Sequence, residues 1–207
     1  MSELSFYYGT MESGKTTKLM QDNFNYRKHL IKTVVIKPAI DTKKDNAIVN
    51  RRGDLLKVDI ILEKDSDVFS EEFYQIYKDC RFILVDEAQF LTKEQVNSLW
   101  LLAHALDITV ICYGLKSNFK GELFEGSAQL FARSDQKCEL TVNCKCGKPA
   151  MFNARRVNGK FISDGEEVVI DGVHDSVEYV PLCGDDYIRE VVKPPILQRL
   201  KENSTKI

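Results

Sequence analysis

The segment Gly9-Thr10-Met11-Glu12-Ser13-Gly14-Lys15-Thr16 constrains this chain more than any other. Two glycines five positions apart, followed by lysine and a hydroxyl residue, form the loop pattern whose backbone N–H groups cradle phosphates. The setting agrees: an apolar, aromatic run from Leu4 to Gly9 precedes the loop, and a helical pattern from Lys15 to Leu30 follows it. A strand, a tight loop and a helix N-terminus in that order converge N–H dipoles on one anion. Lys15 then supplies a point charge at the β- and γ-phosphates and Thr16 a hydroxyl for magnesium, while Gly9 and Gly14 leave room that side chains would fill. The competing reading is a chance glycine-rich turn, which the strand and helix in register argue against.

Three further runs rich in β-branched and aromatic residues, Thr33 to Pro38, Arg81 to Glu87 and Thr109 to Leu115, read as buried strands. Helical patterns at Ser70 to Lys78 and Lys93 to Ala105 alternate with them, which predicts an α/β fold: a P-loop NTPase-like parallel sheet flanked by helices. The polar stretch from Asp41 to Gly53 reads as a loop or hairpin. Beyond about Cys138 the texture shifts to short segments with glycine punctuation and clustered cysteines, which predicts a small β-rich lobe. The expected division is 1–137 for the nucleotide-binding domain, 138–192 for a zinc-ribbon-like lobe and 193–207 for a tail.

The 207 residues carry 29 basic and 31 acidic side chains, without the basic surplus that nucleic-acid binding requires. No apolar run near the N-terminus reads as a signal peptide or membrane span, so a soluble cytoplasmic protein is expected. Its six cysteines are then thiols or metal ligands rather than disulfides.

The strand ending at Val85 runs directly into Asp86-Glu87-Ala88-Gln89-Phe90. Asp86 is placed to hold magnesium across from Thr16. Glu87 has three readings: a base accepting the proton of a hydroxyl acceptor, an activator of water, or a solvated acid at the start of a helix. Ligands of open α/β sheets lie beyond the strands' carboxyl ends. That places Phe119, past Tyr113-Gly114-Leu115, where a planar base can stack, with an ordinary hydrophobic anchor as the alternative.

Together these motifs resemble the thymidine kinase family whose members join a P-loop domain to a small zinc-bearing lobe. The ordered set is the phosphate loop, Asp41-Thr42, Asp86-Glu87-Ala88-Gln89-Phe90, Tyr113-Gly114-Leu115 with Phe119, and Tyr179 followed by Cys183. The resemblance implies transfer of the γ-phosphate of ATP to the 5′-hydroxyl of thymidine, with Glu87 as the catalytic base. It assigns Asp41, Thr42, Lys43 and Gln89 to the ATP side. Met11, Leu115 and Tyr179 fall in the nucleoside pocket, where Val169, Ile170, Asp171, Gly172 and Val173 read the base through backbone groups. It also implies a homotetramer in pyrimidine salvage, inhibited by dTTP. A nucleotide-dependent binding module without kinase activity is the reading from another class.

Departures from the family pattern matter. Lys43 stands where arginine is usual, giving charge without a planar fork. Asn153 stands where threonine is common, still able to donate to a pyrimidine carbonyl. Of the zinc knuckles, Cys144 and Cys146 have only Lys145 between them, and Asp186 takes the last position after Cys183. Zinc on Cys144, Cys146, Cys183 and Asp186, with Cys138 or His174 as substitutes, and a lobe that folds without metal both stay open.

Overall fold

A computed structural model describes residues 2–39, 46–165 and 177–192. Its main body is a six-stranded sheet. The strands are β1 (Leu4–Gly9), β2 (Thr33–Pro38), β5 (Ile60–Leu62), β6 (Phe82–Val85), β7 (Thr109–Leu115) and β8 (Gln136–Glu139), in the order β5-β2-β6-β7-β1-β8. Every pairing is parallel. Between β2 and β5, β3 (Ala47–Val49) and β4 (Leu55–Lys57) form an antiparallel hairpin, with Arg51, Arg52 and Gly53 in its turn. All four strands read from the apolar runs are present. The expected boundary at 137 falls within β8, whose residues Gln136 to Glu139 pair with Ser5 to Tyr8 of β1.

Strand alternation divides the apolar side chains between two faces. Leu4, Phe6, Val34, Ile36, Ile83, Val85, Val110 and Cys112 pack on one side with Tyr77 of α2 (Glu71–Tyr77), Leu99 of α3 (Lys93–Ala105) and Leu130 of α4 (Glu125–Arg133). Val35, Leu84, Ile111 and Tyr113 pack on the other with Leu19 of α1 (Lys15–Lys28) and Ile48 of the hairpin. Both faces are covered, which is why these strands read as continuous apolar runs. Thr92 starts α3 with a capping box, its hydroxyl accepting from the Gln95 N–H while the Gln95 side chain accepts from the Thr92 N–H.

The C-terminal lobe is an antiparallel sheet, β10 (Lys160–Ile162), β9 (Phe152–Val157) and β11 (Val177–Leu182), in that order, followed by the short α5 (Gly184–Tyr187). Its small core gathers Ala154, Leu182, Tyr187 and Val191. Among the described residues, hydrogen bonds from two of its side chains tie it to the main body. The Met11 N–H donates to Asn153 Oδ1 (2.7 Å), Asn153 Nδ2 donates to the Ser117 carbonyl (3.1 Å), and the Tyr187 hydroxyl donates to the Phe119 carbonyl (2.7 Å). Among the described residues, no helix is long and apolar enough to cross a membrane.

Candidate active site

The phosphate loop leaves β1 and enters α1 through Gly14, which caps the helix at φ 80°, in the left-handed region that side chains disfavour. Lys15 folds back over the loop, its Nζ donating to the Thr10 carbonyl (2.6 Å) and to Ser13 Oγ (3.3 Å). Burial lowers the Lys15 ammonium to about 8, against the attraction of Glu87 and Asp86. A cation so poorly hydrated is ready to exchange these contacts for a polyanion.

Asp86 follows the last residue of β6 and is buried. Burial first, and then the charge of Glu87, push its carboxyl up to about 7. Thr16 Oγ1 lies 3.5 Å from Asp86 Oδ2. A buried carboxylate facing a hydroxyl, with its charge disfavoured by desolvation, fits a magnesium ion held at that point, since a divalent cation offsets that cost.

Glu87 adopts φ 49°, ψ 37°, a left-handed backbone rare for a residue with a side chain. A 3-10 turn, Ala88–Phe90, follows immediately. Gln89 orients the acid: its Nε2 donates to Glu87 Oε2 (2.6 Å), while its Oε1 accepts from the Leu115 N–H (2.9 Å). That second bond anchors the amide to the end of β7. Gln89, expected on the ATP side, is buried, and the bonds it makes are to Glu87 and Leu115.

A cleft of about 370 Å³ joins these parts, lined by Met11, Glu12, Lys15, Thr16, Glu87, Leu115 and the hairpin turn with Arg51 and Arg52. A neighbouring cavity of about 650 Å³ shares Glu12 and Arg51 with it and reaches Tyr179 and Arg156 of the small lobe. Met11 and Leu115 thus line the cleft with Glu87, and Tyr179 lines the cavity next to it.

Phe119 is buried among the described residues, with the Arg155 guanidinium 5.2 Å and Lys120 Nζ 5.8 Å from its ring centroid. Asn153 is buried, its side-chain carbonyl accepting from the Met11 N–H and its amide donating to the Ser117 carbonyl, so it ties the lobe to the phosphate loop. Asp41, Thr42, Lys43, His174, the 169–173 stretch and the 193–207 tail lie outside the described residues. Sequence reasoning passed over the hairpin arginines, whose only signal was a basic pair in a turn.

In the small lobe, Cys144, Cys146, Cys183 and Asp186 place their ligand atoms within 4.8 Å of one another. Cys144 Sγ is 3.1 Å from Asp186 Oδ2, and Cys146 Sγ is 3.5 Å from Cys183 Sγ. Tetrahedral zinc with sulfur at about 2.3 Å separates its ligands by roughly 3.8 Å, so this donor set fits zinc. The turn closed by the Gly147 N–H on the Cys144 carbonyl lets the shortened knuckle converge. Cys138, in β8 opposite Tyr7, is not part of this cluster.

Parallel sheet, phosphate loop and paired acids at the end of β6 define a P-loop protein built for phosphoryl chemistry on a nucleotide. A thymidine kinase family profile matches residues 2–187. Proteins named thymidine kinase align at 39% identity in Legionella pneumophila (strain Paris), over 91% of this chain and 90% of that one, and at 39% in Pasteurella multocida (strain Pm70), over 92% and 99%. One from Salmonella choleraesuis (strain SC-B67) aligns at 38%, over 90% and 91%. The chain belongs to the thymidine kinase family. A solved structure of Bacteroides Pif1 bound to ssDNA superposes over 67% of this chain and 38% of that one, with a TM-score of 0.39 and 16% identity, too loose a likeness to bear on function.

Proposed function

We infer that this protein transfers the γ-phosphate of ATP to the 5′-hydroxyl of thymidine. The observation that carries the reading is Glu87, fixed by Gln89 against β7 at the edge of a cleft that also holds Lys15 and Thr16. In that position a carboxylate takes the proton of the 5′-hydroxyl as its oxygen attacks the γ-phosphorus and the bond to the β-phosphate oxygen breaks, releasing ADP. The loop N–H groups and Lys15 hold the β- and γ-phosphates. Thr16 and Asp86 would hold magnesium, which when bound neutralises charge on the phosphates. Met11, Leu115 and Tyr179 border the acceptor side, and the small lobe, tied to the loop through Asn153, closes the site against water. Zinc on Cys144, Cys146, Cys183 and Asp186 would stiffen that lobe. A cytoplasmic role in pyrimidine salvage, dTTP inhibition and a homotetramer complete the proposal. Family membership sets aside the binding-module alternative.

The test follows the phosphate. With γ-labelled ATP and thymidine, the label should appear on the 5′-oxygen of thymidine in step with ADP release. ATP hydrolysis without labelled nucleotide product would overturn the reading.

A further inference from the structure

Beyond the phosphate loop, we propose that Arg51, at the tip of the β3–β4 hairpin, binds the γ-phosphate of ATP, with Glu12 holding its guanidinium over the loop until the nucleotide takes its place. The inference rests on the ATP-dependent kinase reading and adds a residue to it. The Arg51 side chain reaches from the hairpin turn to the phosphate loop, where Nη1 lies 2.9 Å from Glu12 Oε1. Glu12 itself stands at φ 69° inside the loop, so its carboxylate rises from the strained backbone that also presents the phosphate-binding N–H groups. Arg51 shares the cleft wall with Lys15 and Glu87, the two groups that bracket the transferred phosphoryl.

The charge inventory asks for such a residue. Glu12, Asp86 and Glu87 face the region where a triphosphate must lie, and Lys15 is the cation that the loop pattern supplies. Arg51 is near enough to Lys15 for its charge to oppose protonation there. Arg52 of the same turn also lines the cleft, and of the two hairpin arginines Arg51 is the one paired with the phosphate loop; cations gathered beside these carboxylates are suited to a ligand carrying several negative oxygens. A guanidinium offers five donors in a planar fork, so it can engage two oxygens of one phosphate in a bidentate geometry that an ammonium, a point charge, does not impose. The ion pair with Glu12 is largely exposed, with side-chain exposures of 70% and 41%, and exposed pairs of this kind are weak enough to exchange partners.

The experiment compares ATP with ADP by calorimetry, in magnesium and without thymidine, for the wild type, Arg51→Gln and Glu12→Gln. Melting temperatures confirm that each variant is folded. Arg51→Gln should weaken ATP by about tenfold to a hundredfold, the range for a hydrogen-bonded charge pair, while ADP changes by less than about threefold. Glu12→Gln should leave ATP binding as tight or tighter, because the competing carboxylate is gone. ATP affinity unchanged in Arg51→Gln, or ATP and ADP weakened by the same factor, would overturn the proposal. Binding is read without turnover, so an absence of thymidine phosphorylation in the wild type would sink the kinase reading and leave the Arg51 result to be judged by itself.

Discussion

At the scale of single residues, the site is organised by two adjacent acids in different surroundings. Asp86 is buried at a strand end, and Glu87 stands at φ 49° with its carboxylate held by Gln89. The Asp86 carboxyl lies at about 7 against an ordinary value of 3.8. Between those pH values the folded protein keeps a proton on Asp86 that the unfolded chain releases, so the folded state binds more protons and stability falls as pH rises. In chelator, urea midpoints of the wild type should therefore decline from about pH 4 to about pH 7, and Asp86→Asn should flatten that decline. An unchanged profile in the variant would mean that Asp86 is not the titrating group. The placement of Lys15, Thr16 and Asp86 around one point was legible because each is tied to a motif whose spacing is chemical. The surroundings of Phe119 and Asn153 were not, because a residue's type does not say whether its ring is covered or its amide already bonded.

Among the elements, the turn bearing Glu87 is packed from behind by the start of α4. A Cβ on Gly126 would come within 2.7 Å of the Ala88 and Leu91 carbonyls and 2.8 Å of that of Gln89. All three are backbone atoms, so relief requires the turn or the helix to move. Gly126→Ala should cost about 1–3 kcal/mol of stability by overpacking, and should lower kcat more than it raises the KM for ATP, because the displaced turn carries Glu87. A stable variant with normal kcat would show that the turn tolerates the shift. The long strands and the helices α1 and α3 were readable from apolar runs and from the helical patterns between them. The strand β8, Gln136–Glu139, escaped because it lies at the sheet edge and its side chains are mostly exposed, leaving no apolar pattern to read. The hairpin was foreseen only as a loop or hairpin, since three-residue strands carry little periodicity.

Across the whole molecule, the proposed transfer asks the small lobe to keep its position against the phosphate loop. Asn153 and Tyr187 make that connection, and α5, which bears Tyr187, begins beside Cys183. The Asp186 backbone N–H and the neighbouring thiols lower the Cys183 thiol below its ordinary value, while the Cys183 contact raises that of Cys146. Metal analysis of the purified protein should find zinc, and a strong chelator should lower the melting temperature and reduce thymidine phosphorylation together. No bound metal and no chelator effect would mean that the lobe folds on its core alone. Sequence spacing left this point open because a shortened knuckle converges only if the turn at Gly147 closes, which spacing does not reveal.

The measurement that bears most directly on the whole account separates ATP binding from transfer in Glu87→Gln. The variant keeps the shape of the site and its bond to Gln89 but lacks a carboxylate to accept the proton. ATP affinity should stay within about threefold of the wild type, while thymidine-dependent ADP release falls on the order of a hundredfold or more. Near-normal transfer in that variant would contradict the account, because the residue that the fold strains and orients at the cleft would then not be the base.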